Sequence, residues 1–341
     1  MPAPLGSVDD LEPSIDRVAA ETMFSGVVRV DRDGDIAFAR AYGLANRACN
    51  CANDVDTRFG IASGTKGMTA LTIASLVEDG RLALSTTARS VLGDDLPLIA
   101  DDVTVEHLLA HRSGIGDYMD EDELGDIRDY ALAVPVQELS TTEAYLRVLD
   151  GFATKFAAGT GFSYCNGGYV VLALMAERVA GIAFADLVQQ RVCGPAGMVD
   201  TAFLRSDELP GRAAVGYLDV AGERTNVFHL PVRGSGDGGI YSTAADVHAL
   251  WRAFSDGRVV PPSRVAEMVR PRSVVPAESQ RYGLGFWLHE SSAVVVLIGS
   301  DSGVSFRSVH DPAGAFTFTV LSNTTNGAWP VARVLEELHP S

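Results

Sequence analysis

The apolar positions of this chain change their spacing twice. Over residues 8–22, Val8, Leu11, Ile15 and Val18 recur at helical intervals among acidic residues and predict a surface-packed helix. Ser25-Gly-Val-Val-Arg-Val30 and Asp35-Ile-Ala-Phe-Ala-Arg-Ala-Tyr42 then alternate with a period of two around the turn Asp31-Arg-Asp-Gly34, which predicts a hairpin. Residues 43–58 read as a polar loop. From about 63 to 240 the spacing is mainly helical. A helix starting near Ser63 carries the small or apolar stripe Met68, Leu71, Ala74, Ser75 and Leu76 and stops at Asp79-Gly80, where glycine suits a left-handed cap. Leu82 to Gly93 is loop or short helix. Val103 to His111, residues 141–150, residues 169–191 and Ser242 to Phe254 read as further helices, the last capped by Ser242 or Thr243, and Val260-Pro-Pro-Ser-Arg264 turns into one more. After about 275 alternation returns, predicting strands over Tyr282–His289, Ala293–Ile298, Val304–His310 and Ala315–Leu321. A helix over Trp329–Leu338 closes the chain.

Strands at both ends with helices between them predict an α/β (α+β) fold. The N-terminal hairpin joins the C-terminal strands in one antiparallel sheet flanked by helices, with a large helical insertion. Residues 1–62 and 275–341 form the sheet domain, residues 63–274 the helical one, and an active site belongs at their junction. No internal repeat, low-complexity tract or flexible linker interrupts this order.

With 341 residues, 47% of them hydrophobic, the chain can bury a sizeable core. A formal charge of −17 argues against nucleic acid and against an anionic membrane surface as partners. Met1-Pro-Ala-Pro-Leu-Gly-Ser-Val-Asp-Asp10 has no basic start followed by an apolar run, and no stretch approaches ~18 uninterrupted apolar residues, so a soluble, cytoplasmic protein is expected. Cys49-Asn-Cys51 is too closely spaced for an easy internal disulfide, so reduced thiols are expected there and at Cys165 and Cys193. His107 and His111 lie four apart without a third ligand at zinc-like spacing, which makes them structural; no metal or cofactor is expected. Seven acidic residues crowd Asp117 to Asp129, chiefly as a solvated loop.

The candidate chemistry starts at Phe59-Gly-Ile-Ala-Ser-Gly-Thr-Lys-Gly-Met-Thr69. Ser63 and Lys66, at i and i+3, share a helix face, so the amine reaches the hydroxyl as a base beside a nucleophile, and Ser63 sits at the positive end of the helix dipole. Of 27 basic residues only Lys66 and Lys155 are lysine, so lysine is kept where a proton must be released, a task closed to guanidinium. A second segment, Gly161-Phe-Ser-Tyr-Cys-Asn-Gly-Gly-Tyr169, sets Tyr164 and Asn166 two apart before an apolar run, with Cys165 as a small filler between them.

With these motifs in this order the sequence resembles the serine β-lactamase and penicillin-binding-protein superfamily, in particular its class C-like branch. That branch includes β-lactamase-fold carboxylesterases, D-aminopeptidases and D,D-carboxypeptidases. Thr104-Val-Glu-His-Leu-Leu-Ala-His-Arg-Ser-Gly114, Gly194-Pro-Ala-Gly-Met-Val-Asp-Thr201, Gly238-Gly-Ile-Tyr-Ser-Thr-Ala-Ala-Asp246, Tyr282-Gly-Leu-Gly-Phe286 and Leu321-Ser-Asn323 are also similar to it. The resemblance implies that Ser63 attacks a carbonyl while Lys66 and Tyr164, each with a lowered pKa, move its proton. Asn166 holds Lys66 and the substrate amide. It also makes the acidic region 117–129 a wall of the cleft, disfavouring anionic substrates and favouring neutral or cationic ones. The third motif, a strand bearing Lys or His, one residue, then Gly, is degraded: Ser300 stands for Lys or His, Asp301 follows, Ser302 replaces glycine, and Gly303 would donate the second oxyanion N–H. The cation that would bind a substrate carboxylate is missing. A serine hydrolase of small neutral esters or amides, most nearly an esterase, is therefore expected ahead of a β-lactamase, D,D-peptidase or D-aminopeptidase. An acyltransferase or a catalytically silent binding protein on the same fold stands behind these. The spacing does not define an oligomeric state.

Overall fold

The computed structural model describes residues 8–338; the sequence reading of the first residues as lacking a leader lies partly outside them. Among the described residues, one antiparallel sheet of eight strands organises the molecule. Helix α1 (Val8–Glu21) leads into β1 (Gly26–Arg32) and β2 (Asp35–Tyr42). Helices α2 (Thr65–Glu78), α3 (Asn166–Ala180) and α4 (Ala244–Ser255) follow. Strands β3 (Ser273–Val275), β4 (Gln280–Tyr282), β5 (Trp287–His289), β6 (Val295–Asp301), β7 (Val304–Asp311) and β8 (Phe316–Ser322) then precede α5 (Ala328–Leu338). The strand order is β2-β1-β8-β7-β6-β5-β4-β3, so the N-terminal hairpin joins the C-terminal meander through β1 and β8, with Gly26 opposite Ser322.

The sheet is covered on both faces, so its central strands are buried along nearly their whole length even where their residues alternate between apolar and polar. Val28 and Val30 of β1, with Phe316, Phe318 and Val320 of β8, point to a core formed with Leu11, Ile15 and Val18 of α1 and Val331 and Leu335 of α5. Val27, Val295, Leu297, Phe306 and Leu321 point the other way, onto α2 and α3. The alternation of side chains along a strand sorts one hydrophobic sequence into two cores.

Several local expectations are corrected. Helix α2 has no solvent face: Thr65 through Leu76 are all buried, because this helix runs through the centre of the helical layer. Its polar residues find partners at short range. Thr69 donates to the Gly236 carbonyl at 2.6 Å, Thr72 to Met68 at 2.9 Å and Ser75 to Thr72 at 2.7 Å. The strand expected over Tyr282–His289 is broken into β4 and β5, since a Cβ at Gly283 or Gly285 would lie 2.2 Å from Met268 O or Ala70 Cβ. The glycines let this turn press against its neighbours. The helix expected over 169–191 begins at Asn166 and ends at Gly181, whose φ of +68° is left-handed. Residues 43–58 hold a small hairpin, Leu44–Asn46 with Cys51–Ala52, and in it Cys49 and Cys51 pair as a disulfide rather than remaining reduced. Their Cα atoms are 5.4 Å apart, within bridging range despite the short spacing. Among the described residues, no helix is long and apolar enough to cross a membrane.

Candidate active site

Ser63 lies in a single tight turn, Ala62–Gly64, that runs directly into α2. The residue before it, Ala62, has φ +42°, a left-handed conformation that a side chain disfavours and that surrounding structure must hold. The hold comes from β6. A Cβ at Gly299 would lie 2.0 Å from the Ile61 carbonyl oxygen, so the strand rests against the turn that carries Ser63 with no room for a side chain. On its other side, Ile61 N–H donates to the Ile240 carbonyl at 2.9 Å.

Three residues on, Lys66 is 2% exposed. Its Nζ is 2.9 Å from Ser63 Oγ, 2.7 Å from Asn166 Oδ1 and 2.8 Å from the Asp237 carbonyl oxygen. An ammonium uses all three N–H groups on these oxygens. A neutral amine donates twice, to the two carbonyls, and turns its lone pair to the Ser63 hydroxyl, so the same cage accepts both protonation states. Burial pushes Lys66 below the ordinary lysine range, opposed by the nearby carboxyls of Asp237, Glu121 and Asp117.

Tyr164 shares a hydrogen bond with Ser63, and Lys66 Nζ stands 4.9 Å from the centre of its ring. Here the expectation of a lowered pKa is corrected. Burial holds the Tyr164 phenol well above its ordinary value, with the Glu121 charge adding to the effect and the Ser63 hydrogen bond opposing it. Tyr164 is therefore a neutral hydroxyl. Its ring is fixed between the His111 imidazole, at 4.2 Å, and the Trp287 indole, stacked at 5.9 Å. His111 is neutral because burial drives its pKa down. Its Nδ1 accepts from Cys165 N–H at 3.0 Å and its Nε2 meets Tyr282 Oη at 3.1 Å. Cys165 sits behind this layer as the cap of α3, its Sγ 3.3 Å from Gly168 N.

Asn166 departs from the expected role in one respect. Its Oδ1 does accept from Lys66, but both amide hydrogens are engaged, by Met119 O at 3.0 Å and Glu121 Oε1 at 3.1 Å, leaving none for a substrate amide. The acidic segment is also not simply solvated. Asp117 is buried and accepts from the N–H groups of Asn166 and Gly167, at 2.6 and 2.8 Å, across the start of α3. Asp120 pairs with Lys155, which also donates to Ser163, so the second lysine ties this loop to the Tyr164 segment. Burial raises Asp117 to about 6 against those backbone hydrogen bonds. Asp117→Ala would leave two buried N–H groups without partners and is expected to cost roughly 2–4 kcal/mol, read as a lower urea midpoint with an unchanged slope.

The third motif is rearranged. Ser302 and Gly303 form the two-residue turn between β6 and β7, closed by Asp301 opposite Val304. Gly303 N–H donates to Thr325 Oγ1 at 2.9 Å and Ser302 Oγ to the Ile127 carbonyl, so the expected oxyanion role of Gly303 is corrected. Pairing alternates along an antiparallel ladder, so with Asp301 and Gly299 bonded to β7, Ser300 turns its N–H outward. Strand β5 covers β6 only at Val295 and Val296, which leaves that N–H on an open edge beside the turn that carries Ser63. Ser300 and Asp301 line the cleft with Ser63; Ser302 and Gly303 do not.

The cleft lies between Tyr118, Met119 and Glu121 on one wall, Leu230 and Val232 on another, and the end of β6. Sequence reasoning misses Asp237, Glu121 as a contact of Asn166, and the support of Tyr164 by His111 and Trp287. Glycine density over Gly234-Ser-Gly-Asp-Gly-Gly239 is the signal that could have found the first: a Cβ at Gly236 would lie 2.1 Å from Tyr169 O, so this backbone packs tightly on α3.

Comparison with known proteins adds family context to this geometry. The family described as Beta-lactamase matches residues 15–338. Esterase EstB of Burkholderia gladioli is 31% identical over 316 residues, covering 81% of this chain and 77% of the esterase. D-aminopeptidase of Brucella ovis is 31% identical over 237 residues, covering 68% of this chain and 42% of that enzyme. The crystal structure of a penicillin-binding protein from Bacillus halodurans superposes with a TM-score of 0.89 at 33% identity, covering 95% of this chain and 99% of that one.

Proposed function

This chain belongs to the β-lactamase family and has its transpeptidase-like fold, and from that premise we propose that it is a serine hydrolase that cleaves small esters or amides through an acyl-enzyme. The observation that carries the reading is the Lys66 amine held 2.9 Å from Ser63 Oγ in a cage that tolerates its neutral form. In this reading Lys66 accepts the Ser63 proton as Oγ attacks the carbonyl. Tyr164, neutral and hydrogen-bonded to Ser63, passes a proton to the leaving group, and water attacking the acyl-enzyme repeats the steps in reverse. The N–H groups of Ser63 and Ser300 receive the oxyanion. Among the described residues, none of those lining the cleft is a lysine or arginine that could hold a substrate carboxylate, and this favours esterase or amidase activity over action on penicillins or peptide C-termini. Small uncharged esters are the first substrate class, in keeping with the esterase among its relatives.

The test is incubation of the native protein with p-nitrophenyl butyrate, following nitrophenolate release and intact mass in parallel. Steady release with a butyryl adduct mapped to Ser63 is the expected result. Release without an adduct anywhere on the peptide containing Ser63 would overturn the mechanism. An adduct that persists until an alcohol or amine is added would instead identify an acyltransferase.

A further inference from the structure

Of the four cysteines, Cys165 and Cys193 are buried, while Cys49 and Cys51 meet solvent as an exposed disulfide. Their bridge encloses a single residue, Asn50, so it restricts the unfolded chain less than a bridge between distant segments and contributes little to the stability of the whole fold. What it holds is local. It ties the turn 47–50 to the strand that follows, and Arg47 in that turn clasps a second loop, 216–226. Arg47 N–H donates to Tyr217 Oη at 2.7 Å, and the guanidinium carbon stands 4.1 Å from the centre of the Tyr217 ring. The guanidinium also donates to the carbonyls of Asp219 and Val220, each at 3.1 Å, and of Gly222. That loop belongs to the rim of the cleft. Its closing residue Asn226, whose N–H donates to Gly216 O at 3.0 Å, lines the cleft and donates from Nδ2 to Ser302 O at 2.9 Å. Midway, Asp219 pairs with Arg128 of the acidic segment at 2.6 Å. The Arg47 contacts to the loop carbonyls are exposed, where each is worth little alone, so the clasp holds only while the turn keeps Arg47 in one place.

We propose that Cys49 and Cys51 are a reversible dithiol–disulfide site for low-molecular-weight thiols, and that closing the bridge orders the 216–226 loop at the cleft through Arg47. Reduction proceeds on the folded protein, because both sulfurs are reachable at the surface. A thiolate attacks one of the two sulfurs and forms a mixed disulfide, and the other cysteine leaves as a thiolate that takes a proton from water. A second thiolate attacks the external sulfur of the mixed disulfide, so the external disulfide departs and the first cysteine is left as a thiol. The two external thiols lose two electrons in all, and the bridge gains them with two protons. With the bridge open, the turn regains conformations that move Arg47 off Tyr217, and the loop loses its clasp. Loop order is read without any substrate, so this site stands or falls apart from the hydrolase reading.

The experiment equilibrates the full-length protein in buffers of stepped reduced-to-oxidised glutathione ratio, labels it natively with N-ethylmaleimide, and follows amide hydrogen exchange on matched unlabelled samples. At the reducing end the expected result is one label on each of Cys49 and Cys51 and none on the buried Cys165 and Cys193, with full return to the unlabelled state on reoxidation. The amides of Leu218 and Asn226, bonded across the loop to Arg224 O and Gly216 O, are expected to exchange about five-fold faster or more in the reduced form, while β1 and β8 keep their protection. Cys49→Ser with Cys51→Ser is expected to exchange fast at every glutathione ratio. Arg47→Ala is expected to exchange fast in both redox states while its cysteines still open and close, which separates the clasp from the bridge. A bridge that opens only together with loss of protection in β1 and β8 would overturn the proposal. So would a reduced form, or an Arg47→Ala variant, whose loop exchanges as slowly as the oxidised native protein.

Discussion

Ser63→Ala and Lys66→Met are each expected to lower kcat/KM for an activated ester by roughly 10³-fold or more, and the double variant by no more than the larger single loss. The argument rests on shared function. The Ser63 hydroxyl is a poor nucleophile unless its proton leaves as the bond forms, and the buried Lys66 amine is the group 2.9 Å away that can take it. Without either partner the other has no role, so the losses do not add. Methionine approximates the length of lysine but leaves Asn166 Oδ1 and the Asp237 carbonyl without a donor, so a loss of stability of about 1–3 kcal/mol accompanies the loss of rate. Activity should rise with pH as Lys66 loses its proton, because only the amine has a lone pair. Burial lowers the Lys66 pKa, so this limb lies below the ordinary lysine range and should vanish from the residual activity of the methionine variant. Lys66→Arg is an independent check: it keeps a cation but cannot supply a base, and restored activity in it would refute the assigned role.

Gly299→Ala should produce a large loss of stability from a single added methyl group. The new Cβ would start 2.0 Å from Ile61 O and 3.1 Å from Gly64 N, both backbone atoms of the nucleophile turn, so no side-chain rotation relieves the clash. Either β6 moves away from the turn or the turn opens. Overpacking of this kind costs about 1–3 kcal/mol where neighbours can yield, and here at least about 3 kcal/mol is expected. Because the same contact sets the turn that carries Ser63 against β6, turnover should fall even well below the melting temperature. A variant with normal stability and normal kcat would show that the strand is not what holds the turn. Gly34→Ala is the control for glycine replacement itself: its Cβ meets nothing within 4 Å, so only the φ of +88° opposes it.

How much of this is legible in the sequence depends on whether the information is local. The i, i+3 spacing of Ser63 and Lys66 and the two lysines among 27 basic residues point to the pair on their own, because a helix turn brings such positions together whatever surrounds it. The strands of both chain ends are likewise visible as alternation. What fails depends on tertiary contacts. That Thr65 to Leu76 is buried on every side follows from its central position, not from its own pattern, whose threonines look solvated. The direction of each N–H along β6 depends on where the hairpin closes, and a two-residue turn at Ser302 and Gly303 leaves the outward N–H at Ser300, the one proposed above to receive an oxyanion. The buried role of Asp117 is hidden by the acidic residues around it, since only the fold distinguishes the carboxylate that meets the start of α3 from those that meet water.

The pairing of β1 with β8 has a consequence for biosynthesis. Gly26 finds its neighbour only when Ser322 has been made, nearly the whole chain later, and α1 shares its apolar core with α5, which is made later still. As the chain emerges from the ribosome, the first hairpin therefore waits with an unpaired edge and uncovered valines while the helical portion is synthesised. Folding dominated by such distant partners is slow and leaves the early segment open to misassociation. Truncation of even the last strand should thus yield insoluble protein rather than a smaller folded one.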